Sequence, residues 1–241
     1  MFNTSFSNVG TIIMDIAAVL MVLGMIFHTT LYRKRGKPED MLFFYMLLVV
    51  LVSAVFDGIN FSLEQSTWDK ADFVILMGDT LFSLCFTVLP YLFVLFLHCR
   101  VVRDEKRLNR MAAISAAPLF LMAFFILGNL LWGYMFTVEH GTNIYSYGPL
   151  YNVIFIPTAI YGVVALVLMW QRPHRFSTIG MFILLVIVRT YLGGILRGVS
   201  STSFVLAIGL AYAHICVMND EFYRETGEAP LTRKKGGSDS W

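Results

Sequence analysis

The chain has 241 residues, of which 57% are hydrophobic and only 14% charged, whereas soluble domains carry about a quarter charged residues. That composition excludes a water-solvated globule around one buried core. At about 20 apolar residues per spanning helix, the length holds about seven helices and no separate soluble domain. The formal net charge of +2 is less informative than its distribution, and no nucleic-acid partner is expected.

In chain order the apolar runs are 11–32, 41–63, 73–98, 111–135, 150–170, 176–198 and 202–218, the last extending to about Phe222. Asn3, Thr4, Ser5 and Ser7 precede the first run without a basic residue, unlike a signal peptide. The connections are short and polar, as in an up-and-down bundle. The expected fold is all-α: a seven-transmembrane-helix bundle over residues 1–222 of a multi-pass cell-membrane protein, then a polar cytoplasmic tail, 223–241, expected to be partly disordered. Cys85, Cys99 and Cys216 fall in apolar stretches and read as small buried hydrophobes.

Orientation follows from the basic residues near the helix ends. Arg33, Lys34, Arg35 and Lys37 lie in the 1–2 loop. Arg100, Arg103, Lys106, Arg107 and Arg110 lie in the 3–4 loop, Arg172 and Arg175 in the 5–6 loop, and Arg224, Arg233, Lys234 and Lys235 in the tail. These are fifteen of the eighteen basic residues. Lys70 is alone on the opposite side, and Arg189 and Arg197 fall within the sixth run. The N-terminus is therefore expected outside and the C-terminus in the cytoplasm.

Ionisable groups inside hydrocarbon are costly and normally face protein, water or a partner. Five stand in the runs: Asp15, Asp57, Asp79, Arg189 and Arg197, all placed by this topology in the outer half. Asp57, Asn60 and Glu64 share one helical face. Asp79, Ser83 and Thr87 share another, and Arg189, Gly193 and Arg197 a third. Asn129, Trp132, Tyr134, Tyr151 and Asn152 come at the same level. The 4–5 loop, with Glu139, His140, Asn143, Tyr145 and Tyr147, is positioned to cover the opening. The candidate ligand-binding residues are Asp57, Asn60, Asp79, Ser83, Arg189, Arg197, Trp132 and Tyr151. Two compatible readings stand: structural ion pairs, Asp57 or Asp79 with Arg189, and a cavity that also binds a small polar or anionic ligand.

Other chemistries find little footing. Every lysine lies in a loop or the tail, which excludes a retinal Schiff base. Gly78-Asp79 lacks the flanking pattern of aspartyl intramembrane proteases, since position 76 is Leu. His28, His98 and His214 come near one depth, but no acid accompanies them and no His-x-x-x-His pair exists; no metal or cofactor is expected. No Ser/His/Asp set, P-loop or dinucleotide motif is present, and the chain is not expected to be an enzyme. Asn3-Thr4-Ser5 and Asn60-Phe61-Ser62 match the glycosylation triplet, which is frequent by chance. Pro90 and Pro157 inside runs 3 and 5 read equally as hinges or as packing shape.

The first basic loop, Tyr32-Arg33-Lys34-Arg35, a second run ending in Asp57-Gly58-Ile59-Asn60, and a last run leading straight into Val217-Met218-Asn219-Asp220 form a recognisable pattern. It resembles the seven-helix N-terminal sensory domain of bacterial diguanylate cyclases and histidine kinases, across nearly the whole chain. The resemblance implies a membrane sensor. An output domain normally follows the last helix in that family, whereas this sequence stops at Trp241, so a cytoplasmic signalling partner is expected, with membrane lipid and a second copy of the chain as further partners. The seventh run lacks Asn-Pro-x-x-Tyr and the sixth lacks Trp-x-Pro, so G-protein coupling is not inferred. The alternative to a receptor is a small secondary transporter or channel using the same Asp/Arg cluster. No internal repeat and no polar stripe through the inner half favours it.

Overall fold

The structure is a computed structural model and describes residues 2–32, 38–64, 66–101, 105–170 and 202–226. It is mostly helical: α1 (Phe2–Tyr32), α2 (Pro38–Leu63), α3 (Ala71–Val101), α4 (Glu105–Trp132), α5 (Phe155–Trp170) and α6 (Thr202–Thr226). The predicted seventh run is thus α6, and the sixth, 176–198, lies outside the described residues. Among the described residues, five helices are long and apolar enough to cross a membrane: Val9–Leu31, Pro38–Leu63, Ala71–Cys99, Leu108–Trp132 and Tyr151–Leu168. Thr202–Ile215 is a shorter apolar helix.

Local chemistry sets the boundaries. Pro38 opens α2 where its missing N–H costs nothing, and Glu39 and Asp40 follow in the first turn, against the positive end of the helix dipole. Pro157, expected inside a span, falls in the first turn of α5, after a 3₁₀ turn at Tyr151–Ile154. A proline there needs no kink. Pro90 does lie inside α3. α4 stops before Gly133, whose φ of 62° suits a residue without a Cβ. The expected helical run to 135 therefore gives way at its end to a hairpin, β1 (Phe136–Val138) paired antiparallel with β2 (Tyr145–Tyr147). At the other terminus α6 runs past Asn219 through Thr226, further than its apolar stretch requires.

α3 is the hub. It packs against α2, α4 and α5, while α6 packs against α1 and α2. Half of α3's apolar window is buried against 17% of α4's, which makes α3 an interior helix and α4 a peripheral one. The main core joins Ala18 and Val22 of α1, Met46 and Val50 of α2, Phe93 and Phe96 of α3, Tyr161 of α5 and Leu210 of α6. Tyr161 donates its hydroxyl hydrogen to the Ser115 carbonyl at 2.7 Å, tying α5 to α4. A second cluster, Met122, Ile126, Met135, Phe136 and Ile154, sits under the hairpin. The outward faces are apolar: Ile13, Ile16, Leu20 and Phe27 on α1 and Phe120, Leu121 and Phe124 on α4 are exposed. So continuous an apolar surface suits hydrocarbon rather than water.

Candidate functional site

The polar groups gather at the hairpin end of the bundle, where α2 and α3 cross closely. Asn60 Nδ2 donates to Asp79 Oδ1 at 2.8 Å. The approach depends on Gly78: a Cβ there would lie 2.8 Å from Asn60 Cγ and 2.9 Å from Nδ2. Asp57, one helical turn before Asn60, is buried and lies within electrostatic range of both Asp79 and Asp15. Asp15, on α1, is only 2% exposed, and neither of its carboxylate oxygens has a hydrogen-bond partner among the described residues. The Ser203 hydroxyl of α6 lies beside it without completing a hydrogen bond. Three helices thus contribute one acid each to a single polar layer. Ser83 is buried one turn beyond Asp79, where its backbone carbonyl accepts the Thr87 hydroxyl at 2.9 Å.

The hairpin is built to stay over this layer. Asn129, fully buried near the end of α4, accepts at Oδ1 from the N–H groups of Met135 (2.6 Å) and Phe136 (3.2 Å). Its Nδ2 donates to the Phe136 carbonyl at 2.9 Å. Asn143 takes up a positive φ of 53° and donates to the carbonyls of Ser66 (2.8 Å) and Trp68 (3.2 Å) in the α2–α3 connection. At the tip His140 Nδ1 meets Asp72 Oδ2 at 2.6 Å, and the hydrogen bond to that carboxylate raises the His140 pKa above its ordinary value. Tyr145 is near enough to Asp79 and Asp57 to feel their charge, and burial, reinforced by Asp79, pushes its phenol well above the usual range. Tyr147 packs on Tyr151 with ring centroids 4.3 Å apart, and Tyr151 meets Phe155 edge-on.

Of the residues singled out from sequence, Asp57, Asn60, Asp79 and Ser83 share this layer and Tyr151 stands at its aromatic rim. Trp132 comes at the same level but is 66% exposed and stacks on Tyr134, on the outer side of α4. Arg189 and Arg197 lie outside the described residues. Asn129, expected at this level, anchors the hairpin, and Gly78 and Ser203 complete the arrangement, with nothing in their local spacing to mark them. At the far end His28 Nδ1 and His214 Nε2 stand 3.0 Å apart, with Phe43 stacked on His214. His98 turns instead to the Val94 carbonyl. Among the described residues no group of three or more His, Cys, Asp or Glu is placed to hold a metal ion.

Chemically the layer is rich in acceptors. Ionised carboxylates only accept hydrogen bonds, and Asn60 already spends one of its two N–H donors on Asp79. Such a set fits a small molecule that brings its own donors or positive charge. No protein-family model, curated protein or solved structure matches the chain.

Proposed function

We propose that the chain is a cell-membrane receptor: a seven-helix bundle, N-terminus outside and C-terminus in the cytoplasm, that binds a small polar ligand at the hairpin end and signals through its opposite face. The observation that carries this reading is the roofed polar layer. Carboxylates from α2 and α3, with Asp15 of α1 near Asp57, lie by an aromatic hairpin anchored to α4 by Asn129 and to the α2–α3 connection by Asn143. Buried charge is retained in hydrocarbon where it serves a site. The fifteen-to-one bias of basic residues supports the orientation, since it puts the hairpin outside.

Signalling requires the ligand to favour one of two bundle states. The Asn60–Asp79 bond supplies a point of leverage, because a ligand that competes for Asp79 loosens α2 from α3, and α3 also carries α4 and α5. Arg189 and Arg197, on the sixth run, stand at the same expected depth and would widen the choice to anionic groups. A basic cytoplasmic face then presents the change to a partner.

The test pairs two measurements on the purified protein. Thermal unfolding is followed across a panel of small cations, zwitterions and anions, and flux of each hit is measured in liposomes. Saturable stabilisation, weakened about tenfold by Asp79→Asn and unaccompanied by flux, is expected. Flux abolished by Asp57→Asn would replace the receptor by a transporter using the same residues.

A further inference from the structure

Asp15 takes part in a second feature on the flank of the bundle. A cavity of about 280 Å³ lies between α1 and α2, with Asp15 and Ser62 as its polar lining residues among those described and Ile16, Leu20, Val55 and Ile59 among its walls. Those four aliphatic side chains are themselves exposed on the outer face of the bundle, so the groove opens sideways. Asp15 lies against Gly58 of α2, where a Cβ would sit 3.6 Å from Asp15 Cβ, at ordinary contact distance. Ser62 spends its hydroxyl hydrogen on the Ile59 carbonyl at 2.8 Å. Asp15 is thus almost wholly buried, with both oxygens unpartnered among the described residues, and its side chain forms part of the wall of an aliphatic groove.

In such surroundings a carboxylate holds its charge only beside a counter-charge that brings hydrogen-bond donors. A metal ion needs several hard ligands, which the described residues do not group. An ammonium group brings three donors and one charge on a compact head, and an alkyl body matches the walls. We propose that this groove binds an amphiphilic amine arriving from the bilayer, with its ammonium on Asp15 and its chain between Ile16, Leu20, Val55 and Ile59. The site rests on the membrane reading but not on a ligand under the hairpin.

The experiment uses the full chain in phosphatidylcholine liposomes and two photoreactive probes, an n-octylamine and an n-octanol each carrying a terminal diazirine. Labelled residues are mapped by mass spectrometry. The amine probe is expected to label α1 and α2 along the groove, in competition with unlabelled n-octylamine but not n-octanol. Asp15→Asn weakens that competition about tenfold, Asp15→Glu largely retains it, and Asp72→Asn, at the hairpin tip, leaves it unchanged. Should Asp15→Asn fail to fold, Val55→Trp fills the groove from its exposed wall without touching the acid, and abolishes labelling there. Equal labelling by the alcohol probe, or competition indifferent to Asp15→Asn, would reduce the groove to a greasy crevice over a protonated acid and overturn the proposal. A chain that cannot be reconstituted into the liposomes fails the membrane reading instead.

Discussion

Replacing Gly78 by Ala tests how α2 and α3 meet. The added methyl overlaps Asn60, lying 2.8 Å from Cγ and 2.9 Å from Nδ2 and closer still to Oδ1. The short Asn60 side chain must then turn away and release Asp79, its partner at 2.8 Å. Overpacking of this kind costs about 2 kcal/mol, and a hydrogen bond between membrane helices about 0.6 kcal/mol. Against this, Ala is about 1 kcal/mol better than Gly inside a helix. Gly24→Ala supplies the control, because a Cβ at Gly24 meets nothing within 4 Å and the propensity gain cancels between the two sites. The expected difference between the variants is about 2.5 kcal/mol, read from denaturant-induced unfolding in micelles. Asn60→Ala in the Gly78→Ala background removes the obstructing amide, so the double variant is expected to recover most of the steric loss and to be strongly non-additive. Gly78→Ala as stable as Gly24→Ala, or a simply additive cycle, would refute the close crossing.

Asn129→Ala orphans the N–H groups of Met135 and Phe136 together with the Phe136 carbonyl. At about 1–3 kcal/mol per stranded group, amide exchange over 133–150 is expected to speed up at least about thirtyfold. Asn129→Asp, which keeps the acceptor, is expected to lie between, and unchanged exchange in both would show that the hairpin is held some other way. His140 has a pKa above the ordinary 6.5 because of its bond to Asp72. A raised folded-state value means that the protonated pair stabilises the docked tip fully below about pH 6.5 and loses that contribution as pH rises through the folded value. A nuclear magnetic resonance titration should place His140 above 6.5 and return it to the ordinary value in Asp72→Asn, and identical titrations in the two proteins would remove the pair.

Helices announce themselves by length and hydropathy, so α2, α3 and α5 begin and end within a few residues of their apolar runs. The hairpin does not. Its strands are three residues each, too short for an alternating pattern to register, and its position is set by Asn129 and Gly133, which resemble any other polar or flexible residue near a helix end. The site divides the same way. Depth is linear in sequence, at 1.5 Å per residue of helix, and the acids, expected in the same half of their spans, come together in one layer. The direction a residue faces around the bundle depends on how the helices pack. Spacing within a helix put Asp57 with Asn60 and Asp79 with Ser83, but not Asn60 against Asp79. It likewise placed Trp132 at the right height without showing that it turns outward.

One device recurs at the two interfaces that build the layer. Asp15 of α1 lies over Gly58 of α2, and Asn60 of α2 lies over Gly78 of α3. Each polar side chain crosses to its neighbour at a glycine, and each glycine adjoins an acid in sequence, Asp57-Gly58 and Gly78-Asp79. Small residues let membrane helices approach; here the space they leave admits a polar group. The crossings differ in tightness, since a methyl at Gly58 meets Asp15 at ordinary contact distance while one at Gly78 overlaps Asn60. The α2–α3 crossing is therefore the rigid one, closed by a hydrogen bond. The α1–α2 crossing leaves its carboxylate without a partner among the described residues, beside a groove, and it is the interface with room to accept something else.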